Sequence, residues 1–328
     1  AIAAVVPAGV AIDNGYAVHE IRFTTDGAES WATVAIPLGA PPGGGWHIVA
    51  GNFGARGLIG VAVDYPGLGT PGLHPYLVAR SEGAAVLDGL RAARALADTL
   101  GVPTSGRYAI AGLSQGGHAT LAAAALHGSY APELDLRAVA VAAPASGWHR
   151  HWGPVAATPG WHLPLHAMLL HAWAEHYHWP ATPARFTDDV AGRIGAIVRE
   201  RCTYAAAKPA IQDSLPQDPA ALFDPAFLAE YNSGHWQRYG FVRDAFTANA
   251  IAPYHQTAPL RIYQGDADAV VPAWATAELV AALRAGGVDV DYVVVPGGGH
   301  EDIAFGFVAS PQRRTAESIA WLRANLDR

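Results

Sequence analysis

Tyr108-Ala109-Ile110-Ala111-Gly112-Leu113-Ser114-Gln115-Gly116-Gly117-His118-Ala119 decides the fold. Its first four residues read as a strand. From Gln115 to Leu126 the chain is alanine-rich and predicts a helix ended by Gly128. Between them lies Gly-x-Ser-x-Gly, so a strand meets a helix through a sharp turn with a serine at its apex. Such a turn strains the backbone of Ser114, and small residues two before and two after it keep side chains from colliding. It also lifts the hydroxyl to the helix N-terminus, where amide N–H groups face outward. A glycine-rich turn before a helix is the plainer reading, and the flanking strand and helix favour a nucleophile instead.

A serine hydroxyl is a weak nucleophile at neutral pH and needs a base. In sites of this kind the partners follow in the order serine, acid, histidine. His300 stands behind Gly297-Gly298-Gly299, after the apolar run Tyr292-Val293-Val294-Val295. The glycines give it a mobile loop at a strand end, and that position singles it out among 15 histidines as the general base. For the acid, Gly265-Asp266-Ala267-Asp268 follows the run Leu260-Arg261-Ile262-Tyr263. Asp268 lies farther into the loop, just before Val270-Val271-Pro272 and the next helix, and is expected to orient His300. Asp266 directly follows Gly265 and is expected to stabilise the turn.

Working outward, 20–25 and 31–36 alternate as strands around the turn Asp26-Gly27. The apolar runs 47–50 and 60–63 suit strands of a parallel sheet, and 138–142 reads as another strand. Helices are expected at 81–100, with Ser81 as N-cap and Gly101 and Pro103 as the stop, at 274–285, and at 312–326. Strand–helix alternation on both sides of one irregular stretch implies an α/β protein, a doubly wound and mostly parallel sheet with an inserted helical cap. The expected boundaries are 1–147 and 257–328 for the two parts of the core, and 148–256 for the cap.

Composition narrows the function. The 328 residues are 51% hydrophobic and 15% charged, enough for a large core and unlike a disordered chain. A net charge of -7 with no basic block gives no electrostatic footprint for nucleic acid. Apolar runs are all too short for a transmembrane segment, and 1–12 lacks the basic start of an intact signal peptide. Cys202, the single cysteine, permits no internal disulfide.

The stretch 148–256 is dense in aromatic and imidazole side chains, among them Trp148, Trp152, Trp161, Trp173, His149, His151, His162 and His166. His162 and His166 share one helix face, as a metal pair would, but no carboxylate or cysteine completes a set at convincing spacing. An amphipathic cap is the favoured reading, with Trp161 and Trp173 roofing an apolar pocket and histidines at its wet edge. His118, one helical turn beyond Ser114, reads as a packing or pocket-wall residue.

Taken together these residues resemble the secretory lipase family, α/β-hydrolases similar to fungal lipase A. The most specific match is Asp64-Tyr65-Pro66-Gly67-Leu68-Gly69-Thr70-Pro71-Gly72-Leu73-His74-Pro75-Tyr76-Leu77, continued by Ser81-Glu82-Gly83 and Ala85-Val86-Leu87-Asp88. It resumes at Tyr130-Ala131-Pro132-Glu133-Leu134-Asp135-Leu136 and covers about 60–145 and 255–328. The resemblance implies the α/β-hydrolase fold, extracellular action on an ester and no cofactor. It implies Ser114, Asp268 and His300 as the triad, an oxyanion hole of N–H groups from Gln115 and the position of Asp64, and Tyr65 near the pocket. Asp64 also fits a turn aspartate before Pro66-Gly67. The segment 51–59 is shorter than the family's usual crossover, which leaves Asn52 or Phe53 as an alternative donor and suggests an open cleft for bulky, lipid or polymeric esters. An amidase, peptidase or acyltransferase could use the same triad, and a binding protein on this fold would not need all three residues.

Overall fold

A computed structural model of the chain describes residues 2–6, 16–37, 53–54, 57–147, 156–200, 210–301, 303 and 311–328. The expected strand at 47–50, the alternative donor Asn52, and Trp148, His149, His151, Trp152 and Cys202 lie outside the described residues. The chain divides into two compact units, one of Ala1–Gly72, Ala79–Ala145 and Ile251–Arg328, the other of Leu73–Val78 and Ser146–Ala250.

Among the described residues the first unit holds two four-stranded sheets. One is antiparallel, in the order β1 (Ile2–Val6), β2 (Tyr16–Thr25), β3 (Ala28–Pro37), β4 (Gly60–Asp64). Asp26 and Gly27 turn β2 into β3 with φ of 43° and 83°, the left-handed pair that Asp-Gly supplies in a two-residue hairpin. The run 60–63 was expected in a parallel sheet buried on both faces. It pairs antiparallel with β3 instead, Gly60 opposite Ala35 and Asp64 opposite Trp31, and most of it is half-buried. An apolar run fixes extended structure but not the direction of its neighbour.

The other sheet is wholly parallel, in the order β5 (Arg107–Leu113), β6 (Asp135–Ala142), β7 (Leu260–Gly265), β8 (Val290–Val295). The helices α1 (Ala79–Thr99), α2 (Gln115–Tyr130), α9 (Ala273–Ala285) and α10 (Thr315–Leu326) accompany the sheets. Val139, Val141, Leu260 and Ile262 of the strands pack with Leu87 of α1, Leu121 of α2, and Val280 and Leu283 of α9. Ala138 and Ala140 pack with Leu322 of α10. Ligands of such sheets bind at the carboxyl ends of the strands, and Ser114, Asp268 and His300 all follow such ends.

Several helix limits differ from expectation, among them the start of α10 at Thr315 rather than 312. Helix α1 begins at Ala79, so Ser81 lies inside it rather than capping it. Arg80 in that first turn is anchored to the Asp26 carboxylate at 2.9 Å. Helix α2 runs through Gly128 to Tyr130. A helical glycine costs about 1 kcal/mol relative to alanine, and here long-range bonds hold the last turn. The Tyr130 hydroxyl donates to Asp88 at 2.6 Å, and Arg91 donates to the Tyr130 carbonyl at 2.8 Å.

The second unit contains α3 (Leu163–His176), α4 (Asp188–Glu200), α5 (Ile211–Ser214), α6 (Pro219–Leu222), α7 (Pro225–Ser233) and α8 (Gly240–Asn249). Asp218 and Asp224 cap α6 and α7 with their carboxylates, each ahead of a proline at the first helical position. The core is aromatic: Tyr231 stacks on Phe227 and Phe246, and Phe246 meets Trp173 edge-on at 5.4 Å.

Candidate active site

The turn after β5 places Ser114 at φ 59°, ψ -116°, a conformation that costs a non-glycine residue about 1–3 kcal/mol. Three backbone bonds hold it there: Ser114 N–H to Ala142 O at 3.0 Å, and the N–H groups of His118 and Ala145 to Ser114 O at 3.0 and 3.2 Å. A serine at a helix start usually caps it by accepting an amide hydrogen bond. Ser114 occupies the N-cap position of α2, yet its side chain makes no capping bond.

The expectation that both flanking glycines prevent collisions holds for one of them. A β-carbon on Gly112 would stand 2.1 Å from the carbonyl oxygen of Gly116, whereas one on Gly116 would meet nothing within 4 Å. A third glycine matters as well. A β-carbon on Gly117 would lie 2.9 Å from Ala142 O and 3.0 Å from Pro144 Cα, so α2 starts hard against the end of β6.

The histidine loop is stapled rather than free, contrary to the mobile loop its glycine run suggested. Val295-Pro296-Gly297-Gly298 makes a turn closed by Gly298 N–H to Val295 O at 3.1 Å, with Gly297 at φ 67°. Proline second and left-handed glycine third are the residues of a type II turn. The acid loop binds across it: Ala267 N–H donates to Gly298 O at 3.0 Å, and Gly297 N–H donates to the Asp266 carboxylate at 2.6 Å. Asp266 thus joins the two loops.

Asp268 and His300 meet over this joint, His300 Nδ1 to Asp268 Oδ2 at 2.8 Å, with both residues buried. Asp268 Oδ1 accepts the N–H groups of Val270 and Val271, each at 2.8 Å. Oδ2 also accepts from Gln264 Nε2 at 3.2 Å. Gln264, fully buried at the end of β7, donates to Val271 O and accepts from Thr276 Oγ1 at 2.6 Å. Sequence reasoning missed Gln264, because one amide at the end of an apolar strand carries no local pattern. A carboxylate on Nδ1 favours the tautomer with the proton there and leaves Nε2 as the acceptor. Among the described residues no hydrogen bond joins the Ser114 hydroxyl to His300. Such bonds commonly tighten only when substrate is bound.

The other expected residues fall into two groups. Gln115 opens α2, and Asp64 ends β4, where burial and the Glu20 charge raise its carboxyl pKa. Tyr65 to Leu68 form a turn with Gly67 at φ 82°, closed by Leu68 N–H to Tyr65 O at 2.9 Å. Burial and the Glu82 charge hold the Tyr65 phenol well above its ordinary pKa. His118 is fully buried against Glu82, Nδ1 to Oε2 at 3.1 Å. Phe53 packs against the cluster of Ala138, Ala140 and Leu322. In the second unit Trp161 is 43% exposed, whereas Trp173 is buried and donates from Nε1 to Tyr76 O at 3.0 Å. His162 and His166 lie 5.8 Å apart by ring centre, and His166 Nδ1 contacts the Tyr231 hydroxyl at 3.3 Å. Among the described residues no cluster of three or more His, Cys, Asp or Glu side chains is arranged to hold a metal ion. No helix among them is long and apolar enough to cross a membrane.

A serine in a sharp turn after β5, an aspartate after β7 and a histidine after β8 of one parallel sheet are the arrangement of the α/β-hydrolase fold. The model of the secretory lipase family matches residues 49–149, which carry the elbow, and that of the prolyl oligopeptidase family matches residues 220–328. The resemblance to secretory lipases is thus borne out in the part of the chain that holds the serine. No curated protein matches the chain by sequence. Among solved structures, the rice cell wall degrading esterase LipA from Xanthomonas oryzae is 20% identical, with TM-score 0.72, over 95% of this chain and 89% of that one. A ligand-bound form of it gives 21% identity and TM-score 0.75, over 95% and 90%. Lipase A of Candida antarctica in its closed state is 17% identical, with TM-score 0.71, over 99% of this chain and 82% of that one. These likenesses show the fold, and the family match places the chain with lipase- and esterase-type hydrolases of carboxylic esters.

Proposed function

We propose that this chain cleaves carboxylic esters through an acyl-enzyme on Ser114, with His300 as base and Asp268 orienting it. The observation that carries the reading is the His300–Asp268 bond of 2.8 Å beyond the ends of β7 and β8, in the sheet whose β5 is followed by a serine that makes no capping bond. His300 Nε2 takes the serine proton as Oγ attacks the carbonyl carbon, and the resulting oxyanion is held by N–H groups, with Gln115 and Asp64 as the proposed donors. His300 then returns the proton to the leaving alcohol, and water repeats the sequence to release the acid. The family match supports an extracellular setting. The aromatic second unit is the proposed selector of the acyl group, including long or polymeric ones.

The test is a panel of p-nitrophenyl esters from acetyl to palmitoyl, with a p-nitroanilide beside it, on the wild type and on Ser114→Ala. Ester turnover that disappears in Ser114→Ala supports the reading. Turnover that persists in a clean folded preparation overturns it, and a preference for the anilide makes the chain an amidase instead.

A further inference from the structure

Glu82 is a carboxylate with no part in the triad, yet it is fully buried directly beneath the nucleophile turn. It stands in the first turn of α1, beside Gly83. A β-carbon on Gly83 would lie 2.8 Å from Ala122 C and 2.9 Å from Ala123 N, so α1 and α2 touch backbone to backbone there. That contact fixes where Glu82 must point. Oε1 accepts from Gln115 Nε2 at 2.7 Å, and Oε2 meets His118 Nδ1 at 3.1 Å. A buried carboxylate is expensive unless hydrogen-bonded, and short bonds to a charged acceptor are among the strongest available. Its charge also reaches Tyr65, whose phenol it helps to keep protonated.

The two residues that Glu82 holds are the ones that set a single peptide plane. The plane between Ser114 and Gln115 carries Ser114 O at one edge and Gln115 N–H at the other. Ser114 O is pinned by the N–H of His118 and by that of Ala145. The Gln115 end is pinned through its side chain by Glu82, and the His118 end through its ring by the same carboxylate. We propose that Glu82 is a positioning residue for the Gln115 amide, aligning it with the oxyanion that develops at the substrate carbonyl. This rests on the reading of Ser114 as nucleophile and of the Gln115 N–H as an oxyanion donor. A donor acts on charge that exists only in the transition state, so its misalignment lowers kcat and leaves substrate affinity largely alone.

The experiment compares wild type, Glu82→Gln, Gln115→Met and the double variant, with p-nitrophenyl butyrate as substrate and butylboronic acid as a tetrahedral mimic. Deleting one oxyanion donor costs about 100- to 1000-fold in kcat, so its misalignment is expected to cost about tenfold to a hundredfold. Boronate affinity should fall in parallel while KM changes less than about threefold. The double variant should be no worse than the worse single one, because both substitutions break the same link. Gln115→Met keeps the Glu82–His118 pair and serves if Glu82→Gln does not fold. Single variants that lose thermal stability but keep kcat and boronate affinity within twofold overturn the proposal, as do losses that add fully in the double variant. Failure of the underlying reading looks different: the wild type then shows no boronate inhibition, and Ser114→Ala remains active.

Discussion

Gly265 and Gly298 touch backbone to backbone, so close that a β-carbon on Gly265 would stand 2.1 Å from the Gly298 carbonyl oxygen and 3.1 Å from its α-carbon. This contact joins the loop bearing Asp268 to the loop bearing His300. The reverse substitution is milder by distance: a β-carbon on Gly298 would meet Ile303 Cγ2 at 2.8 Å and, among backbone atoms, come no nearer than 3.1 Å to Val295 O and 3.2 Å to Gly265 Cα. Gly265→Ala is therefore expected to force the loops apart, with overpacking of about 1–3 kcal/mol and loss of most ester turnover. Gly298→Ala should retain more of both. Melting temperatures and kcat for the two variants check the order, and equal behaviour would mean that the contact does not set the alignment.

The two aspartates of the acid loop separate function from scaffold. Asp268→Asn replaces the acceptor facing His300 Nδ1 with a group that permits the wrong tautomer, and kcat should drop by about 10⁴. Asp266→Asn leaves the His300 contact in place and weakens the charge-assisted bond from Gly297 N–H, so it should lower stability by about 1 kcal/mol with modest change in kcat. Steady-state kinetics beside urea denaturation distinguishes the two. The reverse pattern would exchange the roles assigned to the pair.

The strands and helices around Ser114, Asp268 and His300 were legible because a strand, a loop and a helix each leave a contiguous trace. The direction of β4 was not, since pairing is decided by distant residues such as Trp31 and Ala35. Gln264 and Glu82 were invisible as supports for a similar reason. Glutamate in a first helical turn reads as a solvated, dipole-stabilised charge, and only the crossing of α1 and α2 at Gly83 buries it. The glycines of the histidine loop suggested mobility from composition alone, whereas in the fold their missing side chains make room for a second backbone.

Gly112 and Gly116 look equivalent in the pentapeptide and differ in space. A side chain on Gly112 would strike backbone atoms of Gly116, which cannot move without reshaping the elbow. Gly112→Ala is expected to give poorly folded or inactive protein. Gly116 lies in the first turn of α2 with open space where a β-carbon would go. Gly116→Ala should fold normally and gain up to about 1 kcal/mol from helix propensity. Soluble yield, circular dichroism and Tm check the contrast, and equal sensitivity of both positions would refute it.

His171, on α3 of the second unit, gives that unit a dependence on pH. Its Nε2 is buried and has no hydrogen-bond partner among the described residues. Burial lowers its pKa below the ordinary 6.5, and Arg199 and Arg185 add to the effect while Glu175 opposes it. The unfolded chain titrates near 6.5, so between that value and the lower folded one it binds more protons than the native state. Stability therefore rises with pH across this window and is lost as pH falls from about 6.5 towards the folded value. His171→Leu removes the proton linkage and keeps an apolar side chain in place. The decline in Tm from pH 7.5 to pH 5.5 should be smaller in His171→Leu than in the wild type, whatever the offset between them at pH 7.5. Parallel profiles would show that His171 does not titrate differently in the folded and unfolded states.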